Sequence, residues 1–207
     1  MEQVLEVYKR PHDPRYPVVC MDEAPRQLIA ETRTPVPAQP GQPMRYDYEY
    51  ERKGTCNVFM AVEPLAGKRL AEVTETKKAE DYSWFLQEIA AHWPKAIKIT
   101  LVQDNLNTHT IGSLYESMPP AQARALVERF EFVYTPKHGS WLNMAEIEIN
   151  TLVKQCLNRR ISEIGLMRAE VGAWQRERNR GKQVIRWRFT TDDARIKLHR
   201  LYPTFED

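Results

Sequence analysis

Three cysteines in 207 residues, Cys20, Cys56 and Cys156, stand far apart with no CxxC pair. That usage excludes a disulfide framework and a thiolate zinc site, and it makes a reducing cytosol the expected compartment. No apolar run approaches the roughly 18 to 20 residues of a membrane span, so no membrane partner is expected. The opening MEQVLEVYKRPHDPRYP carries charge throughout and lacks the apolar centre of a signal peptide. Five histidines are scattered without ligand spacing, which removes a zinc centre built on them. There is no Gly-x-Ser-x-Gly elbow, and Ser140, His138 and Asp104 make a poor hydrolase triad because His138 lies two residues from Ser140. Internal repeats and low-complexity tracts are absent as well.

What is there fits one domain with its own core. Net charge is only +2, but it is unevenly spread: residues 1–150 hold 17 Lys and Arg against 21 Asp and Glu, and residues 151–207 hold 13 against 7. A basic tail on a mildly acidic body suits an anionic partner such as nucleic acid, and it also suits a plain solvated helical surface.

Along the chain, residues 1–16 read as a lead-in segment. VVCMDE (18–23) is a short apolar strand ending in two acids, and the stretch 33–45, with four prolines, is a loop. YDYEYE (46–51) alternates Tyr with acid, as a strand does; TCNVFMAVEP (55–64) and KRLAEVTE (68–75) continue a meander turned at Gly67. Trp84, Phe85, Ile89 and Trp93 recur at helical spacing up to Pro94. AIKITLVQD (96–104) is a strand, 119–130 a helix opened by Pro119-Pro120, FEFVYTP (130–136) a strand, and 144–158 and 163–178 are helices. A capped helix begins near Thr190 or Thr191. A strand–helix–strand crossover makes the strand ending at Asp104 parallel to one of the first three. The expected fold is α/β: a mixed sheet covered by helices.

The strand ends carry the chemistry. Neighbouring strands lie about 4.8 Å apart, so parallel VVCMD and ITLVQD would bring Asp22 and Asp104 out side by side at their carboxyl ends. Two carboxylates at that distance repel, and each raises the other's pKa; a divalent cation removes the conflict. Mg²⁺ is typically held by one or two carboxylates together with substrate phosphate. A third acid is offered by the helix after TPKHGSWLNM, whose core stripe is Ala145, Ile149, Leu152, Val153 and Cys156. Glu146 and Glu148 flank that stripe on opposite sides, and periodicity does not choose between them.

MDE, QDNLNTH and TPKHGSWLNMAE together resemble the three acidic motifs of DDE transposases, specifically the mariner-like superfamily and its bacterial insertion-sequence branch. The resemblance spans roughly Val18 to Arg160. Trp141 stands where the eukaryotic pattern has Pro-Asp, and Met144-Ala145 replaces Pro-Ile, departures that suit a bacterial branch. The resemblance implies a ribonuclease H-like fold with a mixed five-stranded sheet, a catalytic domain over 17–160 and a basic helical extension over 161–207 packed on it. It selects Glu146, which fills the Glu of Leu142-Asn143-x-x-Glu. Asp22, Asp104 and Glu146 then become the catalytic and metal-binding triad, with two Mg²⁺ or Mn²⁺ ions.

The implied activity is metal-dependent cleavage at transposon ends and strand transfer into target DNA, in a homodimer or larger assembly on DNA in the bacterial cytoplasm. The family's N-terminal helix-turn-helix is not visible before Val18, so the expectation is a catalytic fragment, or one product of a split gene, whose DNA-reading module is supplied separately. Asn105 and His109 are candidates for orienting the Asp104 loop or touching phosphate. Lys137, His138, Arg159, Arg160, Arg178, Arg180 and Lys182 are candidate DNA contacts, and Trp141 is either a base-stacking ring or a loop anchor. Tyr46, Tyr48 and Tyr50 share one strand face and are candidates to line DNA, with packing against the sheet the favoured reading. The rival readings are a ribonuclease H-like nuclease that does not join strands and a degenerate DNA-binding or assembly module. A tyrosine recombinase finds no pattern here.

Overall fold

A computed structural model describes residues 1–106, 109–137 and 139–202 of the chain. The elements run α1 (Glu2–Tyr8), β1 (Val18–Glu31), β2 (Tyr50–Glu63), β3 (Lys68–Thr74), α2 (Ala79–His92), β4 (Ile99–Gln103), α3 (Ile111–Ser117), α4 (Pro120–Glu128), β5 (Phe130–Tyr134), α5 (Met144–Leu152), α6 (Ile164–Arg180) and α7 (Thr191–Lys197). The five strands form one mixed sheet in the order β3-β2-β1-β4-β5. β1 to β3 are an antiparallel meander, while β4 is parallel to both β1 and β5.

Side-chain alternation sorts the central strands onto two faces. Val19, Met21, Phe59, Ala61 and Leu101 pack under α2 through Tyr82, Phe85, Leu86 and Ile89, with Leu114 of α3 and Ala123 of α4 alongside. On the other face Cys20, Val62, Val102 and Val133 meet Val4, Leu5 and Val7 of α1 and Met144 and Ala145 of α5. Further along that face Val58, Met60 and Val73 meet Ile149 and Leu152 of α5 and Met167, Val171 and Trp174 of α6. β4 is buried at every residue, as expected of a parallel strand covered on both sides.

Four local expectations change. Residues 1–16 are not merely a lead-in, because α1 buries three apolar side chains in the core. β1 does not stop at Glu23 but runs to Glu31 against β2, beyond the end of β4. Pro25 is tolerated there because β4 no longer flanks that side and asks for no N–H. Tyr46 to Glu49 form no strand, and Tyr46, Tyr48 and Tyr50 are exposed at 62%, 86% and 44% rather than packed on the sheet. Pairing begins only at Tyr50, opposite Glu31. Finally, a helix left unassigned from the sequence, α3, follows the polar residues after Asp104 and is capped by Thr110.

Gly67 turns β2 into β3 at φ +64°, and a Cβ there would lie 2.6 Å from the Lys182 backbone. The close approach brings the turn after α6 onto the edge of the sheet, where Arg69 on β3 donates from Nη2 to the Gln183 carbonyl.

Candidate active site

The parallel register pairs Cys20 with Val102, so two residues on Asp22 stands beside Asp104. Asp22 shares its face with Cys20, toward α5; Glu23 shares the opposite face with Met21, toward α2. Asn143 fixes α5 to this place. It caps the helix by accepting from the Ala145 N–H, and its Nδ2 donates to the Met21 carbonyl at 2.7 Å. The Tyr8 hydroxyl donates to the Leu142 carbonyl at 2.7 Å from the other side. Glu146, in the first turn of α5, is thereby carried to the stretch of β1 that holds Asp22, whose carboxyl feels its charge.

The electrostatics report the same proximity. The Asp22 carboxyl is pushed up to about 7, first by burial, then by the charges of Glu23, Asp104 and Glu146, against one backbone hydrogen bond from the Glu23 N–H. Among the described residues, no hydrogen bond or ion pair engages the Glu146 carboxylate. Asp104 Oδ1 lies 2.6 Å from His109 Nδ1. His109 Nε2 lies 3.3 Å from Glu23 Oε2, near enough to pair charges but misaligned for a hydrogen bond. Burial works against the charged imidazole, yet Asp104 and Glu23 together push it up to about 9. Lys77, 3.7 Å from Glu23, is the next cation.

Asp22 thus has three acids around it, Glu23, Asp104 and Glu146, with one buried imidazole and one surface ammonium nearby. The donors of these acids are hard oxygens, and Glu23, Asp104 and His109 each offer an atom within 4.8 Å of the others. That chemistry fits a hard divalent cation.

Glu148, the other acid of the helix, is elsewhere. It is fully buried, 2.7 Å from Nε of the fully buried Arg69, and it also accepts from Nη2 of Arg178. Its position is that of a structural ion pair, which leaves Glu146 as the acid of α5 that faces Asp22.

The remaining expected site residues scatter. Asn105 and Lys137 line an open depression with Asp104, Leu106, Thr135 and Ser140. His109 is 1% exposed, so it presents no surface to DNA and instead backs Asp104. Gly139 packs on Pro136, whose Cγ a Cβ would meet at 2.5 Å, a tight turn between Lys137 and Trp141. Trp141 is 44% exposed, with Trp187 and Phe189 behind it at 6.4 and 5.6 Å. His138 lies outside the described residues. Of the basic tail, Arg178 is spent on Glu148, and Arg160 pairs with Glu31 and the carbonyls of Tyr48 and Glu49. Arg159 and Arg180 are exposed but paired, with Glu170 and Glu177. Lys182 is exposed, in a left-handed turn at φ 43°.

Asn143 was missed as a site residue when motifs alone were read. Its signal is an Asn before an apolar helix with Glu three residues later, the pattern of a helix start. Glu23 was missed as a partner of His109, and nothing local announces that contact.

A family model described as DDE superfamily endonuclease matches residues 17–168. Among solved structures, the chain is similar to Mos1 transposase in a paired-end complex with the left transposon end: TM-score 0.57 and 15% identity, over 87% of this chain and 56% of that one. It is similar also to Mos1 in a strand transfer complex, at TM-score 0.57 and 16% identity, over 87% and 54%. The chain therefore spans little more than half the length of these structures. The shared architecture is the ribonuclease H-like fold. No curated protein matches the chain.

Proposed function

This chain belongs to the DDE superfamily of endonucleases, and from that premise we propose that it is the catalytic domain of a DNA transposase of the mariner-like, insertion-sequence type. It cleaves phosphodiesters at the ends of its element and transfers the freed strand into target DNA. Asp22, Asp104 and Glu146 are its catalytic acids and hold two Mg²⁺ or Mn²⁺ ions. The observation that carries this reading is the gathering of three acids from β1, the end of β4 and the first turn of α5, with the Asp22 carboxyl pushed up to about 7 by its surroundings.

Bound ions of this kind activate the attacking oxygen and stabilise the leaving one. The chain's part is to present carboxylate oxygens rigidly. Asp22 is fixed by its place inside a strand paired on β2, and Asp104 by the register of β4 and its contact with His109. Glu146 is fixed through the Asn143 cap. Lys137 and Asn105, in the depression beside Asp104, are placed to meet the phosphates that flank the scissile one. Such contacts position a duplex without reading its sequence.

The test is Mn²⁺-dependent nicking of a plasmid carrying the inverted repeats that flank the gene. Asp22→Asn, Asp104→Asn and Glu146→Gln should each reduce nicking by about 10²- to 10³-fold, a loss typical of removing a group that stabilises transition-state charge. Undiminished nicking by any folded variant removes that acid from the triad. Joining of the cut 3′ end to a second duplex separates a transposase from a nuclease that only cuts, and a wild-type chain that binds DNA but never nicks it is a degenerate module.

A further inference from the structure

His109 sits between two acids and is nearly sealed from solvent, its side chain 2% exposed. The Tyr82 ring is stacked on it, centroids 4.6 Å apart and planes 24° from parallel. Tyr82 is itself pinned, because its hydroxyl exchanges hydrogen bonds with the Gln103 amide at 3.0 and 3.1 Å. The backbone on either side is tied down too: the His109 N–H donates to the Leu106 carbonyl, and Thr110 caps α3. An imidazole so held has one freedom left, the choice of partners for its two nitrogens. Nδ1 meets Asp104 Oδ1 at 2.6 Å, and Nε2 points to Glu23 Oε2 at 3.3 Å.

Glu23 has no comparable partner. Its side chain is 2% exposed, its Oε2 makes no hydrogen bond among the described residues, and Lys77 stands 3.7 Å from the other oxygen. A buried carboxylate oxygen without a hydrogen bond is costly unless its position serves something. Here it lies behind the imidazole, on the far side from Asp104.

Resting on the proposed triad, we infer that His109 is a positioning residue for Asp104 and that Glu23 is its backstop. The imidazole occupies Oδ1 and fixes the carboxylate plane, so that Asp104 presents Oδ2 toward Asp22 and Glu146. Metal-ligating groups commonly depend on such outer partners, whose loss weakens metal binding by roughly 10- to 100-fold. The arrangement also explains why Glu23, adjacent to Asp22 in sequence, is not a member of the triad: alternation along β1 turns it to the opposite face.

The test is Mn²⁺ binding to the full chain without DNA, followed by titration calorimetry and electron paramagnetic resonance. His109→Ala should weaken binding by roughly 10- to 100-fold. His109→Asn, whose amide N–H can replace Nδ1–H toward Asp104, should recover most of the loss, and Glu23→Gln should cost less than His109→Ala. Pulsed resonance on the wild type should show no directly coordinated nitrogen. Wild-type affinity in a folded His109→Ala variant, or no recovery in folded His109→Asn, overturns the inference, as does an imidazole nitrogen bound to Mn²⁺, which would make His109 a ligand. Asp104→Asn separates this from the larger reading: if it retains full Mn²⁺ affinity, the triad itself is wrong; if it loses affinity while His109→Ala does not, only the positioning role falls.

Discussion

Two groups of carboxylates, one fully buried and one half-buried, lie on the same face of the sheet, joined by a single turn of α5. Glu148 is sealed between Arg69 and Arg178, and Arg69 spends its other nitrogens on the carbonyls of Gly67 and Gln183. Among the described residues no arginine pairs with Asp22, Asp104 or Glu146, and Asp22 responds by holding its proton up to about pH 7. The first group is complete within the chain. The second is complete only with a proton or an added cation. The difference separates an acid completed by its own fold from acids left open: a fold that can supply guanidinium groups to one buried carboxylate, and withholds them two residues away, leaves the second open to a proton or a cation.

The largest effect should come from breaking the complete group. Glu148→Ala leaves the fully buried Arg69 charge without its partner, a change that costs about 3–5 kcal/mol where buried pairs have been split. Urea unfolding should show that loss, and a cost below about 1 kcal/mol would erase the contrast, because that is the range of exposed pairs. Removing an acid from the open group should act in the opposite direction. The folded Asp22 carboxyl titrates near 7 against an ordinary value of 3.8, so the folded chain keeps a proton that the unfolded chain has released. The stability this contributes is whole below about pH 3.8 and is lost as pH rises through 7. The full gap has a ceiling on the order of 4 kcal/mol. Metal-free wild type should therefore lose stability between pH 4 and 7, on the order of that ceiling or less. Asp22→Asn should flatten the profile, and Mg²⁺ should raise the melting temperature more at pH 8 than at pH 5. Equal Mg²⁺ effects at the two pH values would mean that the cation and the proton do not compete for one site.

A middle-sized effect belongs to the joint between the two groups. Asn143→Ala removes the cap of α5 and its tie to β1, at a typical stability cost of about 1 kcal/mol. Nicking should fall far more than that, since Glu146 loses its bearing on Asp22; a matching small loss in both would reduce Asn143 to an ordinary cap. This joint also marks how far the sequence could be read. The buried parallel strand at 99–103 and the acid that ends it were legible, because a short apolar run between polar stretches leaves few alternatives. Glu146 and Glu148 were not separable by periodicity, since what distinguishes them is an arginine 79 residues away. Tyr46, Tyr48 and Tyr50 had the alternation of a strand without the neighbour that makes one, for β1 ends at Glu31, opposite Tyr50. The basic tail was only partly legible for the same reason. A charge count registers Arg178 and Arg160 but not the acids that already hold them.

The smallest predicted effect asks whether cations divide as the acids do. Lys137 stands exposed in the depression beside Asp104, whereas Arg180 is an equally exposed charge paired with Glu177 on the outer side of α6. If the open acids mark where DNA lies, a cation near them meets phosphate and displaces a counterion on binding. Lys137→Ala should then lower the slope of log affinity against log salt by about one and weaken binding evenly across sequences. Arg180→Ala should leave that slope unchanged, because its charge is offset within the chain. Equal slopes for Lys137→Ala and wild type would move the DNA path off this depression while leaving the acids where they are. A larger change from Arg180 than from Lys137 would place the path along α6, and the division between completed and open charges would then hold for carboxylates alone.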